Sequence, residues 1–242
     1  MTEPNEILKQ TRAAFEREPR INLHRFPIRM NWNGGTLTLE GDVEHIVAKK
    51  LAVRLAKGIA GVTGVIDRLH VAVAEHCSDG EILDSLMQLL QRTNELKNCT
   101  LRIREKGRTW TLHEADSDNR SGEMEFGVTD GVVTLAGHVI SLSHKRLASA
   151  LGWWAPGCRD VLNHLHVVPT ERDNDDELTD AVRLVLEIDP LIHAGQVQVK
   201  TYLRVVTLEG SVRHAEEKKM AELDAWLLPG VNEVFNHLQV RG

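Results

Sequence analysis

The fold is decided by the stretch VVTLEGSVRHAEEKKMAELDAWLLPGVNEVFNHLQV at residues 205–240, because the same pattern occurs twice more in the chain. Residues 36–71 read TLTLEGDVEHIVAKKLAVRLAKGIAGVTGVIDRLHV, and residues 132–167 read VVTLAGHVISLSHKRLASALGWWAPGCRDVLNHLHV. The three windows align without gaps, and ten columns are identical in all of them, namely those of Thr38, Leu39, Gly41, Val43, Lys49, Ala52, Gly61, Val65, Leu69 and Val71. Self-similarity of this kind is typical of tandem copies of one structural unit.

Each window predicts a strand, a helix and a second strand. Val133 and Leu135 alternate with Thr134, which is the pattern of a half-buried strand. Helical spacing then predicts helices over 44–57, 140–154 and 213–227, which end at Ala60-Gly61, Pro156-Gly157 and Pro229-Gly230. The closing strand follows the pattern V-x-[DN]-x-L-x-V.

A helix and an entry strand precede each window. The predicted helices are Asn5–Glu16, Asp79–Arg92 and Asp175–Glu187, and their first residues fit the N-cap preference. The predicted entry strands are Ile28–Trp32, Met124–Val128 and Val197–Tyr202. Asn33-Gly34-Gly35 and Asp130-Gly131 are hairpin turn signals, whereas Leu203-Arg204 in the third copy is poorer turn chemistry.

The sequence therefore predicts an α+β fold of three tandem αββαβ modules, each a three-stranded mixed sheet with two helices on one face. The expected domains are residues 1–74, 78–169 and 174–242, joined by short linkers that favour a compact array. The second module carries an insertion at about 100–122. Within it, Thr100–Leu112 predicts an added hairpin and Ala115–Gly122 a polar loop. Because it alone breaks the repeat, this insertion is the expected site of specialisation.

Composition excludes several classes of protein. The 242 residues carry a formal net charge of -6, which argues against a nucleic-acid partner because such binding needs a basic footprint. No apolar segment is long enough to serve as a secretory signal or a transmembrane helix. Three scattered cysteines give no disulfide framework. We therefore expect a cytoplasmic location, or a periplasmic one if the sequence has been trimmed.

The motif V-T-L-x-G-x-V, followed by G-V-x-x-V-x-N-x-L-x-V, resembles that of BON domains. The third copy carries it as VVTLEGSV and PGVNEVFNHLQV, while Cys158 and Asp67 are departures in the second and first copies. The resemblance implies an accessory module that binds phospholipid or mediates protein contacts at cell envelopes. Members occur in osmotic-stress proteins, envelope-maintenance lipoproteins, secretin-like pores and mechanosensitive channels.

Two repeated features are candidates for lipid or partner contacts. A basic pair recurs in the window helix as Lys49-Lys50, Lys145-Arg146 and Lys218-Lys219. Trp153, Trp154 and Trp226 cluster near the end of that helix. Cationic and amphipathic aromatic side chains suit phosphate headgroups, membrane interfaces and protein hot spots. The alternatives are a solvated helix face for the basic pairs and packing in the core or between repeats for the tryptophans.

Same-face histidines such as His164 and His166 can bind zinc, but no further ligand joins them at metal-ligand spacing, so we predict neither metal nor cofactor. No catalytic motif is present. The leading hypothesis is a non-catalytic protein that engages a phospholipid surface or a protein partner, in a stress response. The alternative is a self-associating scaffold, a homo-oligomer without lipid binding. A third hypothesis is a small-ligand sensor that uses clefts between the modules.

Overall fold

The computed structural model describes residues 4–74, 76–116 and 122–241. The chain divides into two compact units, Met1–Ala72 and Val73–Gly242. The first unit contains the first repeat, and the second unit contains the other two. The strands form three separate mixed sheets of three, five and four strands. An α+β fold with three repeats is therefore confirmed.

The first module has the predicted αββαβ order. Its elements are α1 (Pro4–Arg17), β1 (Arg29–Asn33), β2 (Thr36–Val43), α2 (Ile46–Lys57) and β3 (Gly64–Val71). Strand β2 lies in the centre, antiparallel to β1 and parallel to β3. Leu37, Leu39 and Val43 of β2 are buried on the face that the helices cover, while Glu40 points outward to solvent. This alternation buries one face of the sheet only.

The second module contains the predicted hairpin, but the hairpin extends the sheet. Its elements are α3 (Asp79–Arg92), β4 (Cys99–Glu105), β5 (Arg108–His113), β6 (Gly122–Thr129), β7 (Val132–Val139), α4 (Leu142–Trp154) and β8 (Asp160–Val167). The strand order is β5-β4-β6-β7-β8, with β4 parallel to β6. The expectation of three strands was therefore wrong for this module. Residues 117–121 of the predicted polar loop lie outside the described residues.

The third module repeats the first with one interruption. Its elements are α5 (Asp175–Ile188), β9 (Val197–Tyr202), β10 (Val205–Val212), α6 (Ala215–Leu227), β11 (Glu233–Asn236) and β12 (Gln239–Val240). Strands β11 and β12 both lie parallel to β10, so together they form the closing strand, broken at His237 and Leu238. None of the helices among the described residues of the three modules is long and apolar enough to cross a bilayer.

The predicted N-caps Asp79 and Asp175 were wrong by one residue, because the capping side chains are Ser78 and Asn174. The two aspartates have another role. Asp79 accepts hydrogen bonds from the backbone N–H groups of Asp130 and Gly131, at 3.0 and 2.8 Å. Asp79 therefore fixes the hairpin turn of its own module.

Asp175 has the same role in the third module. Its carboxylate accepts the N–H groups of Leu203 and Arg204, at 2.6 and 3.1 Å. Leu203 and Arg204 have φ values of 50° and 65°, a left-handed conformation that side chains with a Cβ rarely adopt. The carboxylate compensates for the poor turn sequence, which explains how this turn forms without glycine.

Candidate binding surface

The first lysine of the repeated pair bonds to groups of its own module in the first and third copies. Lys49 donates its Nζ to the carbonyl oxygen of Leu69 and pairs with Asp67 Oδ2 at 3.0 Å. Lys218 donates its Nζ to the carbonyl oxygen of Leu238, at 2.7 Å. Leu69 and Leu238 occupy the same column of the closing strand. In these two modules the lysine therefore joins the window helix to the closing strand at the edge of the sheet.

The Asp/Asn column of the closing strand completes the same bond network. Its carboxyl or amide oxygen accepts the N–H of the leucine two residues later in all three modules, at 2.9, 3.0 and 3.2 Å for Asp67, Asn163 and Asn236. The Asn163 and Asn236 amides also donate to the carbonyl oxygens of Lys145 and Lys218, both at 2.7 Å. The bonds to the leucine N–H groups occupy donors that an exposed edge strand would offer to other chains, and the amide bonds join the closing strand to the window helix.

The second basic residue of each pair has a different environment in every module. Arg146 is buried, and it donates from Nε to the Pro229 carbonyl oxygen at 3.1 Å and from Nη2 to Asp173 Oδ1 at 2.6 Å. It thereby joins the second and third modules. Lys50 is half-buried, and desolvation lowers its pKa to about 7, whereas Lys219 is exposed.

Asp173 holds a second arginine beside Arg146. Arg204 donates from Nη1 to Asp173 Oδ1 at 2.7 Å, so one carboxylate joins two cations. Partial burial acts to raise the pKa of Asp173, but the hydrogen bonds from Arg204 and Arg146 prevail and hold it below its ordinary value. The network links α4, the connecting segment before α5 and the β9–β10 turn.

The tryptophans pack mainly within the second unit. Trp226 is fully buried. Trp154 is half-buried, and its Nε1 donates to Asp224 Oδ1 at 2.9 Å, which joins α4 to α6. Trp153 is half-buried. Lys49, Arg146 and Trp226 are buried, so little of each side chain reaches solvent, and their contact with lipid or a partner stays a prediction.

The remaining predicted contact residues divide by exposure. Lys219 is exposed, while Lys50, Lys145, Lys218, Trp153 and Trp154 are half-buried. The ammonium of Lys218 and the indole N–H of Trp154 already have partners inside the protein. All six stay predictions as surface contacts, and Lys219 is the exposed one among them.

A different repeated feature lies on the outward face of the sheets. Ile66, Leu162 and Phe235 occupy one column of the closing strand, and they are 45%, 43% and 52% exposed. The residues two positions later, Arg68, His164 and His237, are also exposed. We call these six residues, together with His70 and His166, the closing-strand stripe. Sequence reasoning missed it, although the column is apolar in all copies and has the parity of the solvent face.

The inserted hairpin changes the outward face of the second module. Arg102 pairs with Glu123 at 2.8 Å, and Arg104 pairs with Glu125 at 3.2 Å. Arginines from β4 thus neutralise the two acidic residues of β6. Two glutamates that share a strand face can serve as general acid and base, but here each has an arginine partner.

The described residues offer little that would support metal binding or nucleophilic catalysis. Among residues 4–74, 76–116 and 122–241, no group of three or more His, Cys, Asp or Glu side chains is arranged to hold a metal ion. Burial raises the pKa of the Cys158 thiol to about 12, which disfavours the thiolate form that a nucleophile requires.

Comparison with known proteins identifies the family. The model of the BON domain matches residues 5–73, 114–169 and 174–242, which is most of the chain. The chain belongs to the BON domain family. Three BON repeats therefore correspond to the three modules, while the domain limits 1–74, 78–169 and 174–242 stay predictions.

One relative and two solved structures are similar to this BON-domain chain. Osmotically-inducible protein Y of Escherichia coli K12 is 31% identical over 145 residues, which span 60% of this chain and 63% of that protein. Two structures of CdsD, a structural protein of the type III secretion system of Chlamydia trachomatis, are 14% identical, and the matches cover 100% and 98% of this chain and 100% and 92% of those chains. Their TM-scores of 0.24 are too low to support any argument.

Proposed function

We propose that this BON-domain protein is a non-catalytic protein that engages an anionic phospholipid surface through the closing-strand stripe, in an envelope-associated stress response. The observation that carries the proposal is the repeated exposed apolar residue, Ile66, Leu162 or Phe235, next to a cationic or imidazole side chain. Apolar side chains beside polar cationic ones suit the boundary between headgroups and acyl chains.

The chemistry of the stripe fits phosphate headgroups. Arg68 is a permanent cation, and imidazole N–H groups donate hydrogen bonds to phosphate oxygens. The ring of His237 stacks on that of Phe235, with centroids 6.3 Å apart, so the apolar and polar parts of the stripe are held together. Each module contributes one weak contact of this kind, which is consistent with a chain whose formal net charge is -6.

The stress and envelope parts of the proposal derive from relatives. The similar protein in Escherichia coli is named for osmotic induction, and the family is associated with envelopes. Proteins of this family and that relative are not known as enzymes, which supports a non-catalytic role. The cytoplasmic location expected from the sequence stays a prediction, which cell fractionation would test.

Vesicle co-sedimentation tests the proposal. The wild-type chain is expected to sediment with phosphatidylglycerol-containing vesicles, less so at high salt. The triple variant Ile66→Ser, Leu162→Ser, Phe235→Ser is expected to lose most of that binding. The matched control is Leu191→Ser, which removes an equally large exposed side chain outside the stripe and is expected to bind as the wild type does. Equal binding of the triple variant and the control would contradict the proposal.

The same measurement distinguishes the scaffold alternative. A homo-oligomer built on the outward sheet faces predicts no sedimentation with vesicles and a mass above that of one chain by light scattering. The triple variant would then return the mass to that of a monomer. Lys218→Glu is unsuitable as a probe of lipid contact because it also removes the bond to the Leu238 carbonyl; Lys219→Glu tests the predicted helix contact without that effect.

A further inference from the structure

In the first and third modules, side chains protect the closing edge of the sheet in the same way. At the closing edge, Leu69 has both its backbone N–H and its carbonyl satisfied by the side chains of Asp67 and Lys49. Leu238 has the same arrangement with Asn236 and Lys218. A strand from another protein would have to displace these bonds. The entry edge, formed by β1, β6 or β9, is treated differently in each module.

In the second module, the chain fills the entry edge itself. Strand β4 lies parallel to β6, and Leu101 and Ile103 of β4 pair with Met124 and Phe126. These inward side chains are all fully buried. On the outward face, Arg102 and Arg104 pair with the glutamates of β6. The entry edge of a module of this fold therefore accepts a parallel strand, with apolar residues inward and charges matched outward.

In the third module, a helix side chain protects the entry edge. Arg183 of α5 donates from Nη2 to the carbonyl oxygen of Val199 on β9, at 3.2 Å. This bond also shows that the backbone groups of Val199 point away from β10. Val199 pairs with Leu208 and is the counterpart of Phe126, which pairs with Leu135. By the same register the counterpart in the first module is Met30, which pairs with Leu39.

In the first module, the entry strand β1 has neither protection among the described residues. Its position in the sheet is terminal, with β2 as its neighbour. Met30 and Trp32 point toward the helix-covered face, and both are half-buried, whereas Phe126 is fully buried under β4. The apolar layer of the first module therefore ends at the position where Ile103 completes the layer of the second.

We propose that the β1 edge of the first module accepts an extended strand of a partner protein, parallel to β1, with aliphatic residues inward and acidic residues outward. The inward residues would cover Met30 and Trp32 as Ile103 covers Phe126. On the outward face of β1, Arg29 occupies the position that Glu125 occupies in β6, where Glu125 pairs with Arg104. Because the charge at this position is positive in β1, the outward residues of the bound strand are expected to be acidic. The exposed pair of Arg29 with Glu40, at 3.1 Å, is weak enough to exchange partners.

The proposal adds a protein partner to the membrane contact and does not depend on it. Main-chain hydrogen bonds supply the affinity in recognition by strand addition, and side chains on alternate positions supply the specificity. The direction of the bound strand follows from β4, which runs parallel to β6. The site is a single edge, so one partner strand binds each chain.

The test uses two peptides derived from residues 100–105 of β4, TLRIRE. One peptide has the natural sequence, and the other, TLEIEE, replaces both arginines by glutamate. The full chain is mixed with millimolar peptide, and amide hydrogen exchange is followed by NMR. TLEIEE is expected to slow the exchange of the Met30 and Trp32 amides by about tenfold or more, since a new ladder bond protects them. TLRIRE is expected to have a much smaller effect.

Two variants make the result specific. Arg29→Glu is expected to reverse the preference, so that TLRIRE protects the β1 amides better than TLEIEE. Met30→Pro removes an outward N–H at a position where an edge strand tolerates proline, and is expected to abolish protection while the remaining spectrum is retained. The proposal is overturned if neither peptide protects β1, if protection appears equally at β9 or β3, or if Arg29→Glu leaves the preference unchanged.

Discussion

Trp154 of the second module donates its indole N–H to Asp224 of the third, at 2.9 Å. Asp224 is buried, and one of its carboxylate oxygens, Oδ2, has no hydrogen-bond partner among the described residues. Desolvation raises the pKa of Asp224 to about 8, the bond from Trp154 acts to lower it, and the neighbouring Asp189 raises it further. The contact between the modules therefore contains an acid whose protonated form is favoured by burial and by the neighbouring carboxyl.

Unfolding of the second unit is expected to become easier as pH rises. Between about pH 4 and pH 8 the folded state holds a proton on Asp224 that the unfolded chain has lost, so the free energy of unfolding falls with pH across that window. Urea denaturation at pH 5 and pH 8.5 is therefore expected to give a lower free energy of unfolding at the higher pH.

Asp224→Asn is the control for this pH dependence, because the amide keeps the acceptor for Trp154 and does not ionise. It is expected to flatten the profile and to stabilise the protein relative to the wild type at pH 8.5. An unchanged slope in Asp224→Asn would mean that other groups cause the dependence.

Arg146 is expected to be the most important charged residue for the joint between the second and third modules. Arg146→Ala removes a buried guanidinium together with its bonds to the Pro229 carbonyl and to Asp173, which keeps Arg204 as a partner, so we expect a loss of about 2–3 kcal/mol in the free energy of unfolding. The matched substitution Lys219→Ala, at the same column on an exposed site, is expected to cost about 0.5 kcal/mol or less. Urea denaturation measures both, and similar costs would contradict the assignment.

The Asp/Asn column is expected to protect the closing edge as well as to stabilise it. Asn163→Ala removes the acceptor for Leu165 N–H and the donor to the Lys145 carbonyl, at an expected cost of about 2 kcal/mol. The freed Leu165 N–H on β8 is also expected to promote association through that strand. Thermal unfolding reports the first effect and light scattering the second. A variant that is less stable but remains monomeric would show that the column has no protective role.

The turn at Leu203 and Arg204 provides a test of local strain. Leu203→Gly is expected to stabilise the protein by about 1 kcal/mol, because glycine adopts φ of 50° without the penalty of a Cβ. Asp175→Ala is expected to destabilise it by about 1–2 kcal/mol, since both turn N–H groups lose their acceptor. Asp176→Ala, at the adjacent exposed carboxylate, serves as the control and is expected to change little. The result that contradicts the account is destabilisation by Leu203→Gly.

The fold was predicted correctly from the repeat because each module is built from elements that local sequence patterns specify. Alternation in VVTLEGSV fixes a half-buried strand, and Pro229-Gly230 fixes the end of a helix, without reference to distant residues. The five-stranded sheet could not be predicted in this way. The parallel pairing of β4 with β6 joins strands that are separated in sequence by β5 and by residues 114–121, and no short-range pattern specifies it.

The candidate site was predicted less well, for a physical reason. Lys49 and Lys218 are the same residue type at the same column, which indicates a shared structural constraint. The sequence does not show whether the ammonium group faces solvent or donates to a carbonyl oxygen 20 residues further along the chain. Arg146 and Lys219 share a column, yet one is buried by a neighbouring module and the other is exposed. The exposure of the apolar column that contains Phe235 could have been predicted from the alternation of side chains along the closing strand.

The most direct test of the proposed membrane contact locates it residue by residue. Nanodiscs that contain phosphatidylglycerol and a headgroup spin-labelled lipid are added to the 15N-labelled chain, and the loss of each amide signal is measured by NMR. The account predicts that signal loss concentrates at the amides of Ile66, Leu162, Phe235 and their neighbours on β3, β8 and β11. Signal loss centred instead on Lys219 and Trp153 of the window helices, or spread evenly over the chain, would contradict it.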